Sequence, residues 1–293
     1  MSFKLKNIIF VQCCLANFLM QSQTFADTPK SFYSLMSPTS TFAALSGAGA
    51  AAPGDASMVD ANPALLPALK KEYYFFGGAA LQNQVDLMEL GIFDSSSTPI
   101  AAVFRARETF LNDDINRDRR FTLGLAYQMT QIKNLSIGVS GEYQQLNLSE
   151  KWKWDKENYR IGAGLFYQID LASGRPIFLG LSSNGMFDKF NPTVFDAGVS
   201  TVILDGYYTV NADALFDSNS GFLSAVSGLN VAVHKFFDIK GSVGYNPRES
   251  RFFWGTGIFF NGPVLRLYYT LVKTDSNDTT LRQTAGAQIA LSL

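Results

Sequence analysis

The feature that most constrains this chain is a period-two alternation running from Glu72 to Leu293. Phe121, Leu123, Leu125, Tyr127 and Met129 alternate with Thr122, Gly124, Ala126, Gln128 and Thr130. Tyr159, Ile161, Ala163, Leu165, Tyr167 and Ile169 alternate with Arg160, Gly162, Gly164, Phe166 and Gln168. Near the end, Ala285, Ala287, Ile289, Leu291 and Leu293 alternate with Thr284, Gly286, Gln288, Ala290 and Ser292. Period two is the repeat of a strand with two unlike faces. In a soluble sandwich the polar set faces water and is rich in Lys and Glu. Here it is Gly, Ser, Thr and Gln with few charges, as on the lumen side of a barrel whose other face meets lipid.

Fourteen candidate strands follow, at roughly 73–82, 85–93, 99–109, 120–130, 134–148, 157–170, 176–186, 193–204, 206–217, 228–237, 238–247, 251–261, 263–273 and 283–293. An even count suits a closed antiparallel barrel. The fold class expected is therefore all-β: a transmembrane antiparallel β-barrel of about 14 strands with a small N-terminal hatch of short helical turns. Connections after even-numbered strands read as short, with Asn261-Gly262 as a two-residue hairpin turn. Those after odd-numbered strands read as longer, notably 111–119, 149–157, 218–227 and 274–280. Aromatic residues near the strand ends (Tyr73 to Phe76, Phe236-Phe237, Phe252 to Trp254, Phe259-Phe260, Tyr268-Tyr269) are expected to form interfacial girdles. The chain closes on Leu293, so an assembly signal based on a final aromatic residue is not present for the barrel-assembly machinery, an expected partner.

Composition excludes several classes. With 24 Lys+Arg against 25 Asp+Glu and no basic run, nothing is concentrated enough to neutralise nucleic-acid phosphates. At 47% hydrophobic and 17% charged the chain is not disordered. No uncharged apolar run long enough for a spanning helix lies beyond the first 20 residues. Residues 1–26 read as a secretory signal: Lys4 and Lys6, a largely apolar stretch from Ile8 to Met20, and a small residue, Ala26, for cleavage. Cys13 and Cys14 leave a lipoprotein reading open, though Val11-Gln12 leads in poorly. Cleavage after Ala26 removes both cysteines, which suits an oxidising compartment, and takes the net charge from -1 to -3 by removing two lysines.

Residues 27–71 do not alternate. They are rich in small residues, as in Ala43 to Gly54, and are too apolar to stay solvated. Asn62-Pro63-Ala64-Leu65-Leu66 reads as an N-cap, a proline at the first helical position and a turn of helix. The run from Ser46 through Asp55-Ala56 to Asn62-Pro63-Ala64-Leu65-Leu66, followed at once by an aromatic strand, resembles the long-chain fatty acid outer-membrane transporter (FadL-type) family. Members carry a Gly/Ala-rich hatch with Asp-Ala and Asn-Pro-Ala motifs before a fourteen-stranded barrel. The resemblance implies a plug within the lumen, passage of hydrophobic molecules, and hatch positions Asp55, Asn62, Pro63 and Ala64. The same architecture is similar to barrel subunits of bacterial secretion machines, which hold partner proteins. The chain divides as 1–26 signal, 27–71 hatch and 72–293 barrel.

Strand parity turns Arg105, Arg107, Glu142, Arg160, Asp196, Asp213, Lys240 and Arg266 toward the lumen. They either position a carboxylate-bearing ligand or pair across neighbouring strands. His234, the single histidine, is expected on the inner face near a strand end. No Gly-x-Ser-x-Gly elbow accompanies it, so an enzyme is not expected, nor a cofactor. Asp113, Asp114, Asn116 and Asp118 offer closely spaced oxygens in a loop for calcium, or are a solvated charged loop. Trp152 and Trp154, among lysines, are expected to anchor at the interface. The function expected is passive uptake of hydrophobic small molecules such as long-chain fatty acids across a bacterial outer membrane, whose lipids are partners. The alternative is a barrel that holds a partner protein.

Overall fold

The structure is a computed structural model. It describes residues 49–52, 56–69, 73–82, 85–111, 116–148, 154–171, 174–189, 191–204, 206–219, 221–247, 250–273 and 281–292. The expected signal, Asp55, Asp113, Asp114, Trp152 and Leu293 lie outside them.

Two 3-10 turns, Ala56–Asp60 and Pro63–Ala68, precede β1 (Tyr73–Gln82), β2 (Val85–Asp94), β3 (Ile100–Leu111), β4 (Asn116–Gln128), β5 (Leu135–Leu148), β6 (Trp154–Asp170) and β7 (Pro176–Met186). There follow β8 (Val194–Ile203), β9 (Tyr208–Asp217), β10 (Gly221–His234), β11 (Phe237–Asn246), β12 (Arg251–Asn261), β13 (Leu265–Lys273) and β14 (Leu281–Ser292). Each strand pairs antiparallel with its chain neighbours, and β1 pairs with β14 from Tyr74↔Ser292 to Gln82↔Thr284, which closes the barrel. Closure removes both sheet edges, so the wall's backbone groups find partners without water.

The outer face is the reason a chain of this pattern needs lipid. Leu90, Val139, Leu181, Ile258 and Leu291 are all more than half exposed and all point outward. Exposed apolar surface of this extent is rare on a soluble monomer. The band is bordered by rings in register. Phe121 pairs with Tyr143 and Tyr143 with Tyr159, their ring centroids 6.3 and 5.2 Å apart. Phe195, Phe216 and Phe222 continue the border on β8–β10. The rim beside this border, where odd-numbered strands hand over to even ones, is called the upper rim. β1 begins and β14 ends at the lower rim.

Half of the expected girdle faces the other way. Tyr74, Phe76, Phe253 and Phe259 are buried inside, and Tyr268 is partly buried there. Phe76, Phe253 and Tyr268 lie over Gly91, Gly244 and Gly286 of the paired strand, where a Cβ would collide with the ring. In Tyr-Tyr-Phe-Phe and Phe-Phe-Trp runs, alternation must send every second ring inward.

The connections correct the expected asymmetry. Three of the four expected long upper loops are partly strand: Asn116–Arg119 belong to β4, Trp154–Glu157 to β6 and Gly221–Ser227 to β10, while 274–280 lies outside the described residues. The ladder continues because each extension has a neighbour to bond, as Leu111↔Asn116 and Leu148↔Trp154 show. The upper wall over β3–β6 is thus raised instead of looped, and short and long connections do not alternate clearly. The Asn261-Gly262 turn also differs. Asn261 ends β12 and β13 begins at Leu265, because Pro263 has no N–H to open the next ladder.

His234 is a further correction. A register shift between Ala232 and His234 breaks the alternation. Ala232 pairs with Asp238, whereas His234 pairs with the outward-facing Phe237. The bulge therefore turns the imidazole outward among Phe236 and Phe237, with centroids at 5.9 and 6.5 Å.

Candidate functional site in the barrel lumen

The site begins with Asn62. Its backbone is extended (φ -154, ψ 106), and its Oδ1 accepts the N–H of Ala64 at 3.0 Å, so it caps the second hatch turn with Pro63 at the first position. Its Nδ2 donates to the carbonyl of Ala50 at 2.7 Å and to that of Leu165, on β6, at 3.0 Å. Asn62 is fully buried, so one side chain satisfies the hatch, its own turn and the wall.

Glycines on the wall make room for this contact. A Cβ on Gly138 would fall on the backbone of Pro63 and Ala64, one on Gly164 on Asn62 Oδ1, and one on Gly180 on the carbonyl of Ala50. One on Gly124 would meet Val59. Gly138 pairs with Gly164 and Gly180 with Gly198, so the glycines form a belt across β4–β8 against which the hatch backbone lies. Below the belt, Val59 and Leu66 pack with Tyr74, Phe76, Phe93, Val103 and Ala126. Met58, Ala61, Ala64 and Leu65 pack with Phe166 and Phe178. The lower half of the lumen is filled by this apolar contact.

Above and beside the hatch lies a charged sector on β3–β6. Arg105 donates to Asp60 of the hatch, and Arg107 lies 3.8 Å from Asp60 and 3.8 Å from Glu142. Arg120 pairs with Asp118 at 2.7 Å and Glu142 at 3.7 Å. Arg160 reaches Glu142 at 3.2 Å and Asp188, in the β7–β8 connection, at 2.7 Å. Burial alone would raise the Asp60 carboxyl, but Arg105 and Arg107 outweigh it and hold it below the usual carboxylate range.

All eight residues assigned to the lumen by parity lie on the inner face, yet they do not form one site. Arg105, Arg107, Glu142 and Arg160 meet in the charged sector. Asp196 and Asp213 stand across the lumen on β8 and β9. Lys240 sits over the ring of Phe259 at 4.7 Å and Arg266 over that of Tyr74 at 5.6 Å. Sequence reasoning missed Asp60, Arg120 and Asp188. Arg120 shares the parity of Thr122 and could have been found; Asp60 and Asp188 lie outside any alternating run. Asp118 is an inward strand residue paired with Arg120, and Asn116 opens β4, so neither sits in a calcium loop.

Between hatch and wall lies a cavity of about 90 Å³. Val59 and Asp60 floor it, Arg107, Arg120, Arg160 and Glu142 line one side, and Val194, Leu215 and Asp196 the other. Val194 and Leu215 belong to an inward apolar cluster with Leu223, Val226 and Phe253 near the upper rim. Among the described residues no group of three or more His, Cys, Asp or Glu side chains is placed to hold a metal.

Neither a protein-family model nor a curated protein sequence matches the chain. Solved structures do. The toluene transporter TodX of Pseudomonas putida superposes with a TM-score of 0.54 at 12% identity, over 85% of this chain and 95% of that one. A mutant Rh. blastica porin superposes with a TM-score of 0.45 at 7% identity, over 75% of this chain and 99% of that one. The similarity to TodX is one of fold: a closed antiparallel barrel.

Proposed function

We propose that this protein is a passive uptake channel for hydrophobic or amphipathic small molecules in a bacterial outer membrane. The observation that carries the reading is the unlike lining of the space above the hatch. Val194, Leu215, Leu223, Val226 and Phe253 offer an apolar wall, and Arg107, Arg120 and Arg160 face it across the cavity. A molecule with an apolar body and an anionic or polar end meets both. The upper rim faces outward, and the start of β1 and the end of β14 lie on the periplasmic side. The hatch backbone lies against the wall glycines and its apolar side chains pack below them, so passage requires the hatch to shift; its seat is a small set of polar bonds at Asn62, Asp60 and Asp213 over an apolar contact. No catalytic step and no energy source enters this mechanism.

TodX, a transporter of toluene by its name, has the same fold and supports the choice of an apolar cargo. The hatch packed into the lumen favours a second reading, a sealed barrel that holds a partner protein. Uptake of toluene and of a fluorescent long-chain fatty acid by cells carrying the full-length barrel separates the two. Uptake above an empty-vector strain, altered by Asn62→Ala at equal surface level, is the expected result. Background uptake of both compounds by a correctly inserted barrel rejects the channel and leaves the sealed-barrel reading.

A further inference from the structure

The β8–β10 wall differs from the charged sector opposite. There each carboxylate of Asp60, Asp118, Glu142 and Asp188 has an arginine within 4 Å. Asp196 and Asp213, both more than nine-tenths buried, have no basic partner within that distance among the described residues. The arginines that share the cavity with Asp196 are committed to other carboxylates. Two uncompensated buried carboxylates need either a bound cation or a proton between them.

Register places the surrounding groups. On β8, Asp196, Gly198 and Ser200 follow one another on the inner face. They pair with Leu215, Asp213 and Asn211 of β9, which pair in turn with Ser224, Val226 and Gly228 of β10. Asp213 is at the centre of this grid. Its Oδ1 lies over Gly198, where a Cβ would occupy the same space, and so points between Asp196 and Ser200. Asp196 Oδ1, Asp213 Oδ1, Ser200 Oγ and Ser224 Oγ are buried and make no hydrogen bond with the protein. Asn211 Nδ2 is in the same condition, but that amide lies over Gly228 of β10, on the side away from β8. The other carboxylate oxygen, Asp213 Oδ2, accepts the N–H groups of Gly49 and of Ala50, the latter at 3.3 Å, at the start of the described hatch.

The geometry points to a binding site for a hard divalent cation of the calcium class, on the inner face of β8 between the side chains of Asp196 and Asp213. The donors are all oxygen, two of them anionic, which is the set such ions select. Ser200 contributes its hydroxyl, and water completes the shell, with Ser224 on β10 near enough to take part only through water. The ion and the hatch share Asp213: one oxygen holds the cation while the other holds Gly49 and Ala50. Binding therefore clamps the first hatch segment to the β8–β9 wall. The inference stands apart from the transport reading, since a sealed barrel would use the same clamp.

The test is calorimetric titration of calcium chloride into chelator-stripped, detergent-purified full-length barrel near neutral pH, with thermal unfolding followed in parallel. Wild type, Asp196→Asn, Ser200→Ala and an Asp113→Asn/Asp114→Asn loop control are compared, after each is shown to fold by its heat-dependent gel migration. Expected are one saturable site in wild type and loop control, at least tenfold weaker binding in Asp196→Asn, a smaller loss in Ser200→Ala, and a calcium-dependent rise in melting temperature absent from Asp196→Asn. If Asp196→Asn does not fold, Ser200→Ala decides alone. The site is overturned by no saturable binding to wild type, by undiminished binding to Asp196→Asn or, failing that variant, to Ser200→Ala, or by loss of binding in the loop control. It is equally overturned if stability responds to acidification and not to calcium, because protons then supply the counter-charge.

Discussion

At the scale of single residues, the lumen is a set of close approaches that tolerate no extra atom. Gly164 and Gly141 make the contrast testable. A Cβ at Gly164 collides with Asn62, whereas one at Gly141 meets nothing within 4 Å. Gly164→Ala is expected to lower stability by roughly 1–3 kcal/mol, the usual cost of overpacking, and Gly141→Ala to leave it nearly unchanged, as read by urea unfolding in detergent. Asp60 supplies a second prediction, with a definite sign. Because its folded carboxyl lies below the ordinary range, its contribution is fully present above the unfolded value of about 3.9 and is lost only as pH falls through the lower folded value. Protection of the hatch from proteolysis should therefore be flat from neutral pH down to about pH 5. Asp60→Asn should reduce protection throughout that window, because it leaves Arg105 buried without its anion. Equal protection in the two proteins would remove Asp60 from the hatch seat.

At the scale of elements, three strands depart from what their sequence predicts, β10 in its alternation and β4 and β6 in their length, and each departure has a local cause. The shift in β10 sends His234 out beside Phe237. A cysteine at position 234 is expected to react with a lipid-phase label, and one at Asn230, on the inner face before the shift, to stay protected. Labelling of both or neither would contradict the bulge. The upper ends of β4 and β6 extend as strand into segments that read as loops, because polar side chains do not prevent a ladder whose backbone groups are paired. Trp254, outward on β12 and 37% exposed, should be quenched by brominated acyl chains in a Trp152→Phe/Trp154→Phe background, where it alone reports on the lipid face.

At the scale of the whole molecule, the barrel is a container filled from two sources. The hatch fills the β4–β8 side, and inward rings such as Phe76, Phe253 and Tyr268 fill much of the remainder. Removing residues 27–69 takes away only the first source. In planar bilayers the full chain is expected to conduct weakly and the shortened chain to conduct at least severalfold more, since the wall aromatics stay in place while the glycine belt is uncovered. Equal conductance would mean that the hatch does not seal the lumen.

What the sequence by itself determined is the wall: strand number, the two faces, and the lumen side of Arg105, Arg107, Glu142, Arg160, Asp196, Asp213, Lys240 and Arg266. These follow from period two, a property of neighbouring residues, which no distant contact is needed to establish. Asn62-Pro63-Ala64 was likewise legible as a cap and a turn, because capping is local. What only the tertiary structure decided is which wall residue meets which part of the hatch. Gly138 against Ala64, Gly164 against Asn62, Arg105 against Asp60 and Asp213 against Gly49 are all far apart in the chain. The same limit explains His234 and Asp118. One was displaced by a single extra residue in the ladder and the other drawn into a strand by its partner. Parity assigns a face, but register and three-dimensional closure assign the neighbour, and the chemistry of the lumen depends on the neighbour.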